Sequence, residues 1–177
     1  MQRPFSPPAP LIVSLRLDAD SFAVLNDLRR RHFPRERNHL DAHVTLFHAL
    51  PGEEETRIRR DLDELCAQTP VLPLSLPNLR FLGRGVAVDI ECSELIRLRA
   101  SLAKQWRDLL GAQDAQTWKH PHVTVQNKVA PDVARALFDE LSASWQQMNG
   151  QGEGLSLWRY RGGPWQAAGE WKFGGLS

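Results

Sequence analysis

Two tripeptides in this 177-residue chain are identical, His43-Val44-Thr45 and His122-Val123-Thr124, and each sets a hydroxyl two residues after a titratable ring. Imidazole titrates near pH 6.5 in water, so at neutral pH one ring accepts a proton while a second donates one. Placed on opposite sides of a phosphorus atom, two such rings would activate an attacking water and protonate a departing sugar oxygen. Strand side chains alternate between faces, so each threonine shares a face with its histidine, about 6–7 Å further along the backbone. Its hydroxyl would donate to a non-bridging phosphate oxygen, where charge builds in the transition state. A lone H-x-T is a weak signal, but two copies at matching points of a repeat are a strong one.

The elements that must position these residues come from hydrophobic spacing. Leu11–Leu17 reads as a strand, and Asp18–Phe33 as a helix with Phe22, Leu25 and Leu28 on one stripe. Arg29, Arg30 and Arg31 close that helix, where its dipole favours positive charge. The first motif strand reaches about His48, and a helix opens at Glu53 with Ile58, Leu62 and Leu65 facing inward. Val71–Leu82 is extended, and Pro73 and Pro77 mark it as an edge or irregular strand. A second cycle follows: a strand over Gly85–Ile90, a helix capped by Ser93 and running to about Leu109, and the second motif strand over Pro121–Lys128. Pro131 begins another helix, Gly150–Gly154 reads as a flexible break, and strands over Leu155–Tyr160 and Trp165–Phe173 end the chain.

The two cycles share one order: strand, helix, His-Val-Thr strand, helix, strand. Leu74-Ser75-Leu76 and Leu155-Ser156-Leu157 repeat as well. Such a repeat predicts an α+β fold with pseudo-two-fold symmetry: two antiparallel sheets around a central groove, helices outside, and the motifs facing each other. The expected lobes are 11–82 and 85–173 of a single 1–177 domain, with 1–10 as an irregular arm.

Composition is that of an ordinary globular domain, 42 % hydrophobic and 24 % charged, and a net charge of +1 excludes a strong overall field for polyanions or membranes. Four prolines in the first ten residues argue against a signal peptide or a membrane span, so a cytoplasmic monomer is expected. Cys66 and Cys92 lie far apart and read as buried residues, without disulfide or metal spacing.

The motifs with their following residues, His43-Val44-Thr45-Leu46 and His122-Val123-Thr124-Val125, resemble the paired H-x-[ST]-x signature of the 2H phosphoesterase superfamily, relatives of bacterial 2′-5′ RNA ligase and cyclic nucleotide phosphodiesterases. The resemblance covers Leu11 to about Trp171. It implies a bilobal fold, metal- and cofactor-independent action on 2′,3′-cyclic phosphates or 2′-5′ linkages, and catalytic roles for His43, Thr45, His122 and Thr124. RNA ends or small cyclic nucleotides are the implied partners. The surroundings of the motifs are similar to a bacterial subgroup of largely unassigned substrate.

Arg35, Arg37 and Lys128 flank the motifs and are candidates to hold a terminal phosphate. By strand parity Phe47 joins His43 in lining the groove, Gln126 joins His122, and His48 falls on the opposite face. Trp118, Trp158, Tyr160 and Trp165 are candidates to stack a base, with Trp158 and Tyr160 carried forward. Two other classes compete. A metal-dependent hydrolase would draw on His39, His43, His48, His120 and His122, and activity surviving a chelator rejects it. A non-catalytic nucleotide- or RNA-binding module would bind without turnover.

Overall fold

The computed structural model describes residues 6–176, so residues 1–5 of the expected N-terminal arm lie outside the described residues. The order is β1 (Leu11–Leu17), α1 (Ala19–His32), β2 (Val44–Leu50), α2 (Glu55–Gln68), β3 (Leu72–Leu76), β4 (Leu79–Phe81), β5 (Val86–Asp89), α3 (Ser93–Gln105), β6 (His122–Gln126), α4 (Pro131–Ser144), β7 (Met148–Arg159) and β8 (Gln166–Lys172). Asp18 caps α1, accepting from the Ser21 amide at 2.9 Å. The cap of α3 is Cys92, not the expected Ser93, and that helix stops at Gln105. Among the described residues, no helix is long and apolar enough to cross a membrane.

The fold is α+β, with two antiparallel sheets: β2-β1-β7-β3 with β8 added on β7, and β4-β5-β6. The expected boundary at 82/85 is not the boundary between these sheets. In each half the first strand pairs with the motif strand, β1 with β2 and β5 with β6. The third strand then crosses over. The first part of β7 pairs with β3, and its second part pairs with β1 of the other half. Reciprocally, the chain passes from β3 through Pro77-Asn78 into β4, which pairs with β5. The crossing strands meet along Leu72–Leu76 and Met148–Gly152, so each sheet is completed by the opposite half. The Leu-Ser-Leu repeat is therefore coincidental: Leu74–Leu76 pairs with β7, whereas Leu155–Leu157 pairs with β1.

The glycine-rich stretch 150–154 is continuous strand rather than a flexible break. A Cβ on Gly150 would sit 2.2 Å from the Ser21 hydroxyl, and one on Gly154 would sit 2.1 Å from the Trp171 carbonyl oxygen. Close approach of neighbouring elements explains both glycines.

Both motif strands are edge strands, and both carry a bulge directly after the threonine. Ser14 pairs with Thr45 but Val13 with Phe47; Ala87 pairs with Thr124 but Val86 with Gln126. The extra residue reverses side-chain parity beyond it. Phe47 therefore turns into the core instead of lining the groove, fully buried with its ring 5.2 Å from Trp106. Gln126 turns inward likewise, and its Oε1 has no hydrogen-bond partner among the described residues.

An unpaired strand edge presents carbonyls that need donors. Arginines from the opposite halves supply them. Arg29 of α1 donates from one terminal nitrogen to the Thr124 carbonyl at 2.8 Å and from Nε to Asn38 Oδ1 and the Leu40 carbonyl, both at 2.9 Å. Arg99 of α3 donates to the Leu46 carbonyl at 3.1 Å and to the Asp114 carbonyl at 2.6 Å. Both are almost fully buried, each against an aromatic ring, Phe33 at 4.1 Å and Phe47 at 4.3 Å. Arg29 thus does more than complement a helix dipole.

Arg99→Met keeps the aliphatic packing and strands two buried carbonyls, so it should lower the unfolding free energy by about 3 kcal/mol in denaturant titration. A change under about 0.5 kcal/mol would contradict the clasp. The bulges predict opposite outcomes at equivalent positions. Phe47→Ala should cost about 3–5 kcal/mol as a core truncation, whereas Gln126→Met removes an unsatisfied oxygen and should be neutral or stabilising by about 1 kcal/mol. If both residues lined a groove, both changes would be nearly silent in stability.

Candidate functional site

The candidate site is built on the outward faces of β2 and β6. Val44, Leu46, Val123 and Val125 are fully buried on the packed side of their strands, while His43, Thr45, His122 and Thr124 are partly exposed. Burying the valines is what turns the histidines and threonines outward.

Buried polar groups of α1 anchor the segment that delivers His43. Asn26 accepts from the Ala42 amide at 2.8 Å and donates to Asp41 at 3.2 Å, and Arg29 holds Asn38 and Leu40 as described. His43 itself begins where that segment enters β2. Its Nδ1 lies 2.7 Å from the Asp41 carbonyl, and Nδ1 of His122 lies 2.8 Å from the His120 carbonyl. A carbonyl only accepts, so both rings carry hydrogen on Nδ1, and Nε2 is clear of that bond. The same tautomer is thus imposed twice by the carbonyl two residues upstream.

The two rings sit in different surroundings. The pKa of His43 is lowered to about 4: burial is the largest cause, the bond to the Asp41 carbonyl opposes it, and the nearby charges of Arg29, His122 and His48 add to it. The ring lies 4.7 Å from that of Trp165, which in turn stands 6.1 Å from Trp158. His122 faces Asp89 across β5, and Asp89 is held by Arg80 at 2.7 Å and Asn78 at 2.8 Å. Across from the first motif, β1 offers Ser14 opposite Thr45, its hydroxyl accepting from Trp158 Nε1 at 2.8 Å.

Two cavities adjoin here. The first, of about 460 Å³, is lined by His43, Ser14, Arg16, Ser156, Trp158 and Trp165 among others. The second, of about 450 Å³, includes Arg29, Arg37, His48, Lys128, Tyr160 and Trp165. They share His39, Leu40 and Trp165. His122 lines neither. Of the residues expected to bind substrate, Trp158 lines the first cavity, while Lys128, Arg37 and Tyr160 line the second. Arg35 is exposed outside both, and Phe47 is in the core. His48 stands beyond the bulge, so the parity that assigned it to the opposite face does not hold. Lys128 sits in a left-handed backbone conformation, φ 62°, in the turn after β6.

Arg29, Asn26 and Asp114 matter to the site and were not singled out from the sequence for it. Trp165, one of the four candidate stacking aromatics, lines both cavities. Among the described residues, no three His, Cys, Asp or Glu side chains come together to hold a metal ion, so the five histidines considered as ligands do not form such a set.

Solved structures of similar architecture cover nearly the whole chain. A Thermus thermophilus protein, TT0787, aligns with a TM-score of 0.68 at 17 % identity, over 95 % of this chain and 100 % of its own. E. coli LigT complexed with 3′-AMP aligns with a TM-score of 0.59 at 18 % identity, over 94 % and 98 %. LigT complexed with NADP+ gives 0.56 at 20 % identity, over 94 % and 99 %. These likenesses establish the fold. No curated protein matches the sequence. The model of the 2′-5′ RNA ligase superfamily matches residues 16–164, spanning both motifs and every strand between β2 and β7, and the chain belongs to that superfamily.

Proposed function

We propose that this protein is a metal-independent phosphodiesterase that opens 2′,3′-cyclic phosphates on RNA ends or small nucleotides, with His43 as general base and His122 as general acid. The observation that carries the assignment is the Nδ1–H tautomer that the Asp41 carbonyl imposes on His43, together with the lowered pKa of that ring. With Nδ1–H bonded to Asp41 and its pKa lowered to about 4, His43 at neutral pH presents a lone pair on Nε2. A base must start unprotonated, and a group titrating near pH 4 would be a poor acid at pH 7. The proton for the leaving group is left to His122, whose Nε2 is free of the His120 bond.

His43 Nε2 takes a proton from water as its oxygen bonds to phosphorus. The bond from phosphorus to one ribose oxygen breaks, and His122 Nε2 gives that oxygen a proton. Thr45 and Thr124 donate to the non-bridging oxygens as their charge grows. With a ribose 5′-hydroxyl in place of water as the nucleophile, the same pair forms a 2′-5′ bond from a cyclic phosphate: His43 takes the hydroxyl proton, the bond from phosphorus to the 3′-oxygen breaks, and His122 protonates that oxygen, so ligation uses the same residues. Trp158 and Trp165 offer ring faces for a base beside His43.

Hydrolysis of 2′,3′-cyclic AMP in the presence of a chelator should fall about 10²–10⁴-fold in His43→Ala and again in His122→Ala. Full activity in either variant, or dependence on a divalent metal, would contradict the mechanism. The pH profile tests the assignment separately. Because the pKa of His43 is lowered, the base stays active as pH falls, and the acidic limb of kcat/KM should break near pH 4 rather than near 6.5. In His43→Ala that acidic limb should disappear.

A further inference from the structure

The bulge after Thr45 brings up an imidazole that the reaction above does not use. Nδ1 of His48 lies 2.9 Å from Oδ1 of Asp114, and the amides of His48 and Ala49 donate to the same carboxylate at 2.9 Å. Asp114 is 2 % exposed, and its main-chain carbonyl is held by Arg99 at 2.6 Å. Burial works against ionisation of Asp114, but the bonds from the His48 ring and the two amides outweigh it and hold the carboxyl below the usual range. Three donors on one buried carboxylate are more than a surface histidine needs. They fix one tautomer, with Nδ1–H on Asp114 and Nε2 left for the cavity that His48 lines.

That cavity is cationic. Arg29, Arg37, His39, His48 and Lys128 line it, and no carboxylate does. Lys128 reaches it from a left-handed backbone position that L-residues adopt rarely, with its amide bonded to Asn127 Oδ1 at 2.8 Å. The cavity adjoins that of His43 along His39, Leu40 and Trp165.

We propose that this second cavity binds a further phosphate of the substrate, one that does not react, with His48 Nε2–H and the Lys128 ammonium as its ligands and Asp114 as the positioning residue. An imidazolium between a carboxylate and a phosphate donates from both nitrogens, and the cations around it give charge-assisted bonds. The preferred substrate is then a nucleotide or RNA end whose cyclic phosphate is accompanied by a second phosphate, rather than a nucleoside cyclic phosphate with a free 5′-hydroxyl. The inference rests on the reading that the cyclic phosphate reacts between His43 and His122.

The test compares 2′,3′-cyclic AMP with its 5′-phosphorylated form. Wild-type protein should favour the 5′-phosphorylated substrate in kcat/KM by about tenfold or more, mostly through KM. In His48→Gln and in the exposed-site variant Lys128→Ala that ratio should fall toward one. A ratio near one in wild type, or a ratio unchanged in both variants, overturns the inference while leaving the phosphodiesterase reading intact. Tryptophan fluorescence gives an arm independent of turnover: adenosine 3′,5′-bisphosphate should bind more tightly than 3′-AMP to wild type and equally to Lys128→Ala. If neither cyclic substrate turns over, the reading of the reaction fails, and equal binding of the two ligands to wild type would sink the second site as well.

Discussion

The molecule depends on two buried guanidinium groups that hold its motif strands from behind. β2 and β6 each lie at the edge of a sheet, and an edge carbonyl without a donor costs as much as a lost hydrogen bond. Arg29 and Arg99 resolve this reciprocally, each reaching from a helix of one half to the strand of the other. The planar fork of arginine suits the task, because one side chain reaches carbonyls on separate segments while its face rests on a ring. Burial lowers the pKa of both, yet a guanidinium so basic remains charged. Arg29 thereby joins the segment leading to His43 with the backbone of Thr124, so the two motifs are registered through a single side chain.

A repeat of this kind gives equal backbones and unequal environments. Both motif histidines are fixed in the same tautomer by a carbonyl two residues upstream, and both threonines precede a bulge. The difference lies around them: His43 is packed against Trp165 near the charge of Arg29, whereas His122 pairs with Asp89. Unequal surroundings of this kind are what the proposed division into a base and an acid would draw on, and two equivalent sites would not supply it.

Much of this was legible in the sequence where one local rule decided the outcome. Alternation about Val44 and Val123 located the four motif side chains, the prolines at 73 and 77 marked edge strands, and the isolated cysteines proved buried. The misreadings began where geometry depended on a neighbour. Strand parity failed at Phe47 and His48 because a bulge shows only in the pairing of β1 with β2. The glycines at 150–154 looked loose because their crowding comes from Ser21, Leu15 and Trp171, remote in the chain. Arg29 was explained by its helix alone, and Asp114 carried no pattern at all. The crossing of the third strands left no mark in the sequence either, since it is a matter of pairing.

The account turns on the proton state of His43, and NMR of the imidazole nitrogens across a pH titration reads it directly. The prediction is a ring that keeps hydrogen on Nδ1 and a bare Nε2 from pH 8 down to an acid transition near pH 4. A ring that titrates near 6.5, or carries its hydrogen on Nε2 at neutral pH, would contradict it.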